Sequence, residues 1–261
     1  MKLTVAMITF NEEKNLDRTL NSIKNIADEI VIVDSGSTDK TKEIAEKYNA
    51  KFIFHPWKGY GLQRNFAIEN SNGEWILAID ADEEVSLELA DKIKEIIENE
   101  SEKKVFEINR VSVCFGKVLK HGGWGKSYAV RLFTKTSGKF NDNTVHEQFV
   151  TEDKIYKINK KDIIYHHSYL TLQDYFTKFN RYTTEGALDY YRKGKKSSIF
   201  QIVFNPLFKF IRMYIIRLGF LDGVEGFVIA TTSAMYSMVK YFKLREIYKN
   251  GAYNENNNIK N

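Results

Sequence analysis

A chain of 261 residues, 43% hydrophobic and 28% charged with only two prolines, has the length for one large domain or one domain with an appendage. That balance excludes collagen-like, linker-rich and wholly disordered chains, and the single cysteine, Cys114, excludes an intramolecular disulfide and a cysteine zinc cluster. Net charge is +5, and its basic surplus is regional: Arg192, Lys193, Lys195, Lys196, Lys209, Arg212 and Arg217 follow one another with no intervening acid, which points to an anionic partner at one place.

In chain order, the apolar run Leu3 to Phe10 reads as a buried strand. No small-residue cleavage site follows it, so no secretory signal is expected, and the cysteine usage suits a reducing, cytoplasmic compartment. From Asn11 a helical pattern sets in, with Leu16, Leu20 and Ile23 at spacings of four and three. Glu29 to Asp34 is a second strand, Thr41 to Tyr48 a helix, Ala50 to Phe54 a third strand and Gly61 to Asn70 a short helix. A turn at Asn72-Gly73 leads to a fourth strand, Glu74 to Ile79, and a helix from about Ser86 to Glu98. Alternating strands and helices imply a mainly parallel sheet. Beyond residue 100, Val105 to Val113, Tyr128 to Phe133 and Ile163 to His167 read as strands, and from Thr171 to about Tyr248 the pattern is helical and aromatic. The expected organisation is a catalytic domain over 1–168 (a first half to 100, a second from 101), a helical region over 169–249 and a disordered tail over 250–261.

Polar clusters follow strands one, two and four, at the carboxyl ends where open α/β sheets bind ligands. Asp80-Ala81-Asp82 can hold Mg²⁺ or Mn²⁺ and a ribose hydroxyl, oxygen ligands favouring those ions over zinc; the same residues also suit the first turn of a helix. Asp34 through Asp39 can accept from a base or ribose, and Ser37, Thr38 and Asp39 also suit a helix cap. In Thr9-Phe10-Asn11-Glu12-Glu13, Phe10 can pack on a base. Arg64 can reach a phosphate, or lie on a solvent face.

Taken together, Thr9-Phe10-Asn11-Glu12-Glu13, Val33-Asp34-Ser35-Gly36-Ser37-Thr38-Asp39, Arg64 and Asp80-Ala81-Asp82 resemble the inverting family-2 glycosyltransferases with the GT-A fold. Many members carry two adjacent aspartates after strand two, whereas here the second place is Ser35. His121-Gly122-Gly123-Trp124, Arg131-Leu132-Phe133, Val145-His146-Glu147 and Gly219-Phe220-Leu221-Asp222-Gly223 narrow the resemblance to the subgroup containing lipopolysaccharide-core glucosyltransferases of the WaaE/KdtX type. The resemblance implies an α/β, Rossmann-like fold and transfer of a hexose from a nucleotide diphosphate sugar, such as UDP-glucose, to a glycan or glycolipid hydroxyl. It implies Asp82 as metal ligand, with Asp80 on the ribose or assisting the metal and His146 as a third ligand or positioning group. Thr9, Phe10, Asn11, Glu12, Asp34, Arg64 and Arg131 would bind the donor, Arg131 at the diphosphate or an anionic acceptor unless it forms a salt bridge on its strand, and Glu147 would be the base. His166 and His167 are expected to pack at a strand end.

At 100° per residue, Phe200, Phe204, Leu207, Ile211, Tyr214, Ile215 and Leu218 share one helical face, with Lys209, Arg212 and Arg217 opposite. Pro206 is expected to kink this helix or begin another. The segment suits peripheral attachment to the anionic cytoplasmic face of an inner membrane; packing beneath the catalytic domain or a homo-oligomer contact are the alternatives. No stretch reaches the ~18 uncharged apolar residues of a span. A phosphohydrolase reading fails because Glu83-Glu84-Val85 follows Asp82 where an early Thr is needed. A non-catalytic nucleotide-sugar-binding scaffold remains an alternative, and no nucleic-acid motif is present.

Overall fold

The computed structural model describes residues 2–99, 102–142 and 147–250. It divides into two compact units. One comprises the residues up to Ser112 together with Lys126–Ser168; the other comprises Val113–Gly125 and the residues from Tyr169 onward.

The first unit is the expected α/β layer structure. Strands β1 (Leu3–Thr9), β2 (Glu29–Asp34), β3 (Lys51–Phe54) and β4 (Trp75–Asp80) alternate with helices α1 (Leu16–Ile23), α2 (Thr41–Lys47) and α3 (Tyr60–Glu69). Their order in the sheet is β3-β2-β1-β4, all parallel. The near-continuous Val, Ile, Leu and Ala runs of β1, β2 and β4 are those of strands covered on both faces. The sheet continues through β8 (Ser127–Thr134), β6 (Val105–Cys114), β12 (Ile163–Tyr169) and β5 (Glu83–Val85). β8 is antiparallel to both β4 and β6, and β5 is antiparallel to β12. β11 (Ile155–Lys157) lies along β6, and β9 (Lys139–Phe140) with β10 (Phe149–Val150) forms a separate two-stranded ribbon.

One face of the sheet is covered by α1 and by α4 (Leu87–Glu98). Leu16, Leu20 and Ile23 are fully buried there, each such burial contributing about 1.5–3 kcal/mol. The Ser86 hydroxyl caps α4, accepting from the Leu89 amide at 3.2 Å. The other face is covered by α3, with Ala67 and Ile68 over Ile76, Ala78 and Phe133.

Two local expectations change. Residues 11–15 are a loop, and α1 begins at Leu16. Asn11 takes a left-handed φ of 55°, which Asn tolerates, and its amide donates to the Ser37 hydroxyl at 2.7 Å instead of entering a helix. Glu83–Val85, within the acidic cluster that also suited a helix start, is an edge strand held by β12.

The second unit is helical. A tight turn at Phe115-Gly116, with φ of 55° and 79°, folds β7 (Lys117–Val118) back on Val113 and Cys114. Helices α5 (Leu172–Arg192), α6 (Ile199–Ile211) and α7 (Gly223–Asn250) follow, α6 running on into a π-helical turn over Arg212–Ile216. Capping boxes start α5 (Thr171 with Asp174) and α6 (Ser198 with Gln201). Pro206 is carried inside α6; the chain turns only after the π segment, at Leu218 with φ 56°. Cys114 and Leu119 pack with Tyr175, Met213, Ile229 and Ala230. That explains why 113–125, placed before the expected boundary at 168, cluster with the helices. Burial pushes the Cys114 thiol up to about 12, so it is an inert core residue.

The glycines of Gly219-Phe220-Leu221-Asp222-Gly223 serve close approach: a Cβ on Gly219 would lie 2.7 Å from the Met213 carbonyl oxygen, and one on Gly226 2.1 Å from that of Gly219. Asp222 is buried and accepts from the Lys120 and His121 amides at 3.2 and 2.8 Å, with His121 Nδ1 at 2.9 Å. The two motifs of the C-terminal half are thus joined to each other. The tail at 251–261 lies outside the described residues.

Candidate active site

All of the candidate site lies in the first unit. Because β1, β2 and β4 are parallel neighbours, their carboxyl ends fall at one sheet edge, and the three polar clusters converge there. The loops after β1 and β2 are zipped together. Thr38 donates to Asn11 Oδ1 at 2.9 Å, the Glu12 amide to Thr41 Oγ1 at 2.8 Å and the Glu13 amide to Asp39 Oδ2 at 3.1 Å. Burial acts to raise Asp39, but donors from the Thr41 side chain and amide and from Glu13 outweigh it and hold its carboxyl below the ordinary value.

Asp34 is the pivot of this edge. It is buried, and its two oxygens accept from the Gly36 and Ser37 amides (2.8 and 2.7 Å) and from the Thr9 and Ser37 hydroxyls (2.9 and 2.5 Å). These four donors fill the usual acceptor capacity of a carboxylate, so Asp34 shapes the loop that a base would meet. Ser35 accepts from the fully buried Gln63 at 3.0 Å. Phe10 stands exposed at the mouth, as do Phe54 and Trp57.

Asp80 ends β4, and its carboxylate is held from two sides: Arg64 Nη2 from α3 at 2.5 Å and Arg131 Nη2 from β8 at 2.9 Å. Burial acts to raise its pKa, yet Arg64, Arg131 and Arg110 outweigh that and hold it far below the carboxylate range. Arg64 and Arg131 are themselves buried. They are therefore corrected from free phosphate-binding cations to members of an internal ion-pair network. Burial acts to lower Arg131, and Glu83 and Asp80 more than offset it. Arg64 also donates through Nε to Glu147 Oε1 at 3.2 Å, bringing the candidate base to the same cluster.

Asp82 sits on the turn, whose Ala81 carbonyl accepts from buried Thr19 at 2.7 Å. The His167 amide donates to the Asp82 carbonyl at 2.9 Å. His166 Nε2 lies 3.3 Å from Asp82 Oδ2, so this histidine faces the site rather than packing at a strand end. Burial acts to lower His166, but the Asp82 hydrogen bond and charge leave it raised. His167 pairs with Glu84 at 2.7 Å and is lowered, chiefly by burial.

Among the described residues no group of three His, Cys, Asp or Glu is arranged to hold a metal. The partly exposed pair Asp82 and His166 is the donor set that fits Mg²⁺ or Mn²⁺, which commonly take one or two protein ligands and complete their shell with phosphate and water. Asp80 does not fit as a direct ligand, since both its oxygens are on guanidiniums. His146 lies outside the described residues.

Sequence reasoning missed Glu83, Arg110 and His166. Glu83 is fully buried; it accepts from Arg131 Nη2 at 2.7 Å and from the Asp80 amide at 3.0 Å, and ion-pairs with Arg110, whose Nε lies 2.7 Å away. The available signal was the polar Asn109-Arg110 pair inside a largely apolar strand, and a His-His pair in another.

The family model for glycosyl transferase family 2 matches residues 4–157. A glycosyltransferase of Rickettsia typhi is 34% identical over 257 residues, covering 94% of this chain and 87% of that protein. The lipopolysaccharide core biosynthesis glycosyltransferase LpsC of Rhizobium meliloti is 28% identical over 250 residues, 94% of this chain and 92% of its own. A crystal structure of S. aureus TarS 1-349 in complex with UDP aligns over 97% of this chain and 93% of that one, at 18% identity and a TM-score of 0.47. With a family match over more than half its length and relatives along nearly all of it, the chain is a glycosyltransferase and belongs to glycosyl transferase family 2.

Proposed function

We propose that the enzyme moves a hexosyl group from a nucleotide diphosphate sugar, UDP-glucose or a related UDP-hexose, to a hydroxyl of a glycan or glycolipid, with inversion. The observation that carries this reading is the convergence of the zipped β1–β2 loops, Asp82 with His166, and Glu147 around an Asp80 locked by two arginines. The base and ribose lie against the β1 and β2 loops, with Phe10 stacking on the base and Asn11 and Glu12 lining the edge that Thr9 and Asp34 shape. Asp82 and His166 hold Mn²⁺ or Mg²⁺, which neutralises charge on the leaving diphosphate when bound.

Glu147 takes the proton of the acceptor hydroxyl as its oxygen attacks the anomeric carbon. The bond from that carbon to the diphosphate oxygen breaks, its electron pair leaving with the nucleotide. Arg64 positions Glu147 and Asp80 relative to each other through one guanidinium. The likeness to LpsC supports lipopolysaccharide core or another surface polysaccharide as the product class, made at the cytoplasmic face of the inner membrane. Homo-oligomerisation is not needed by this reading.

A thermal-shift screen of nucleotides and nucleotide sugars, with and without Mn²⁺, tests it, because ligands that bind the folded state raise its melting temperature. The expected result is a Mn²⁺-dependent rise with UDP and with one UDP-sugar, lost in Asp82→Asn. A Mn²⁺-dependent rise in Asp82→Asn as large as the parent's would remove Asp82 from the metal site.

A further inference from the structure

Helix α6 has no buried residue, although it is the most apolar helix of the chain by composition. Ile199, Phe200, Val203, Phe204, Leu207 and Phe208 are each between 49% and 67% exposed. They form two adjacent ridges at a spacing of four, so they share one face. An apolar groove of about 430 Å³ between α6 and α7, lined by Leu207, Phe227, Met235 and Met238 among others, opens beside that face. Contiguous apolar surface of this extent marks an interaction site.

The surrounding charges identify the occupant. Arg192, Lys195, Lys196 and Arg212 are exposed next to the apolar face, and no acid occurs from Arg192 to Arg217. Lys193 is paired with Asp189 at 2.8 Å, Lys195 lies exposed over the Tyr190 ring and Lys209 half-buried over the Tyr236 ring, and the Arg217 guanidinium packs against Gly123. The exposed cations beside the apolar face, Lys195, Lys196 and Arg212, therefore differ from the Lys209, Arg212 and Arg217 stripe of the helical wheel. A second copy docked face to face would oppose like charges, a costly arrangement. An anionic lipid surface meets both the cations and the apolar ridges.

We propose that α6 is a membrane-contacting helix lying in the plane of an anionic bilayer, with the Ile199–Phe208 ridges among the acyl chains and Lys195, Lys196 and Arg212 at the headgroup phosphates. The segment Ile199–Ile216 is long and apolar enough to cross a membrane, but its placement favours lying flat. It contains Lys209 and Arg212, and it is held along α7 through Phe210 and Tyr214 against Phe227 (6.0 and 5.5 Å between ring centroids). This inference does not depend on the donor reading; combined with it, α6 holds the enzyme where a lipid-linked acceptor resides.

The test is co-sedimentation of the full-length chain with vesicles of phosphatidylcholine alone and of equimolar phosphatidylcholine and phosphatidylglycerol, in low and high salt. Two triple variants, F200S/F204S/F208S and K195Q/K196Q/R212Q, are compared with the parent. All six side chains are exposed, so the fold is retained, as circular dichroism and an unchanged nucleotide thermal shift will show. The parent should bind the anionic vesicles about tenfold more strongly than neutral ones, with salt weakening the binding. Each triple variant should lose about tenfold or more. Parent-like binding by the apolar variant, or no vesicle binding by the parent, overturns the proposal. So does a parent dimer in sedimentation velocity that binds no vesicles and becomes monomeric in F200S/F204S/F208S, which would assign the face to a second copy. Loss of nucleotide binding in the parent would count against the donor reading and leave this result standing.

Discussion

Glu147 and Asp80 are two carboxylates given different tasks by one arginine. Arg64 donates through Nη2 to Asp80 and through Nε to Glu147. Asp80 takes a second guanidinium from Arg131 and is thereby a fixed structural anion, whereas Glu147 is held on one oxygen by Arg64 alone among the described contacts. A single hydrogen bond orients a base without consuming it, and general base catalysis contributes about 10²–10⁴-fold. Glu147→Gln keeps the side chain's size and its carbonyl oxygen for Arg64 but cannot take a proton. The variant should bind UDP and UDP-sugar like the parent in the thermal-shift assay and lose about 10²–10⁴-fold in transfer rate. Transfer at the parental rate would assign the proton to another group.

At the scale of elements, the site depends on how closely α3 packs on Asn141 and Glu147. A Cβ on Gly61 would stand 1.9 Å from the Asn141 carbonyl oxygen and 3.7 Å from the Glu147 Cβ. Helix propensity favours Ala over Gly by about 1 kcal/mol, but overpacking against backbone costs about 1–3 kcal/mol, and here the opposing atom is a carbonyl with little room to yield. Gly61→Ala should therefore lower the melting temperature and shift Asn141 and Glu147, reducing transfer more than nucleotide binding; an unchanged or raised melting temperature would show that the Asn141 carbonyl yields freely. Such close approaches explain what the sequence makes legible. Spacings of three and four reveal α1, and continuous apolar runs reveal the central strands, because burial there is set by local sequence. Asp80, Asp82, Arg64 and Glu147 are visible as residue types at element ends. Glu83 is not, because Asp80 through Glu84 reads equally as an acidic helix start, and only the register that sets His166 opposite Glu83 shows it as a buried strand residue. Arg110 and His166 likewise gain their roles from pairing across β6, β8 and β12: they meet each other across 56 residues of sequence, and Glu83 meets Arg131 across 48. For Arg64 and Arg131 the residue type was visible but the partner was not, which is why two apparent phosphate ligands are ion-paired inside.

For the whole molecule, the decisive feature is that the chain leaves its first unit at Val113, returns at Lys126, and leaves again after Ser168. The excursion 113–125 has no core of its own. Cys114 and Leu119 are fully or almost fully buried, and the residues that cover them, Tyr175, Met213, Ile229 and Ala230, all come from α5 through α7. The His121 loop is likewise tied to Asp222 through two amides and an imidazole. Cutting the chain after Ser168, where composition alone puts a boundary, would uncover Leu119 and Cys114 and leave the Lys120 and His121 amides without their buried acceptor. Leu119 alone forfeits about 1.5–3 kcal/mol of burial, and lost hydrogen bonds to a charged group add about 1.5–3 kcal/mol each. Those losses are comparable to the 5–15 kcal/mol by which domains are stable. A chain of residues 1–168 should thus be aggregation-prone, with a lowered melting temperature and enhanced binding of a hydrophobic dye. Replacing 113–125 in that truncated chain by a short Gly-Ser connection from Ser112 to Lys126 should restore solubility and a cooperative transition, because every residue of the first unit's two cores lies outside the excursion. If the simple truncation at 168 melts cooperatively at the parental temperature, the excursion is self-supporting and the catalytic unit is continuous after all.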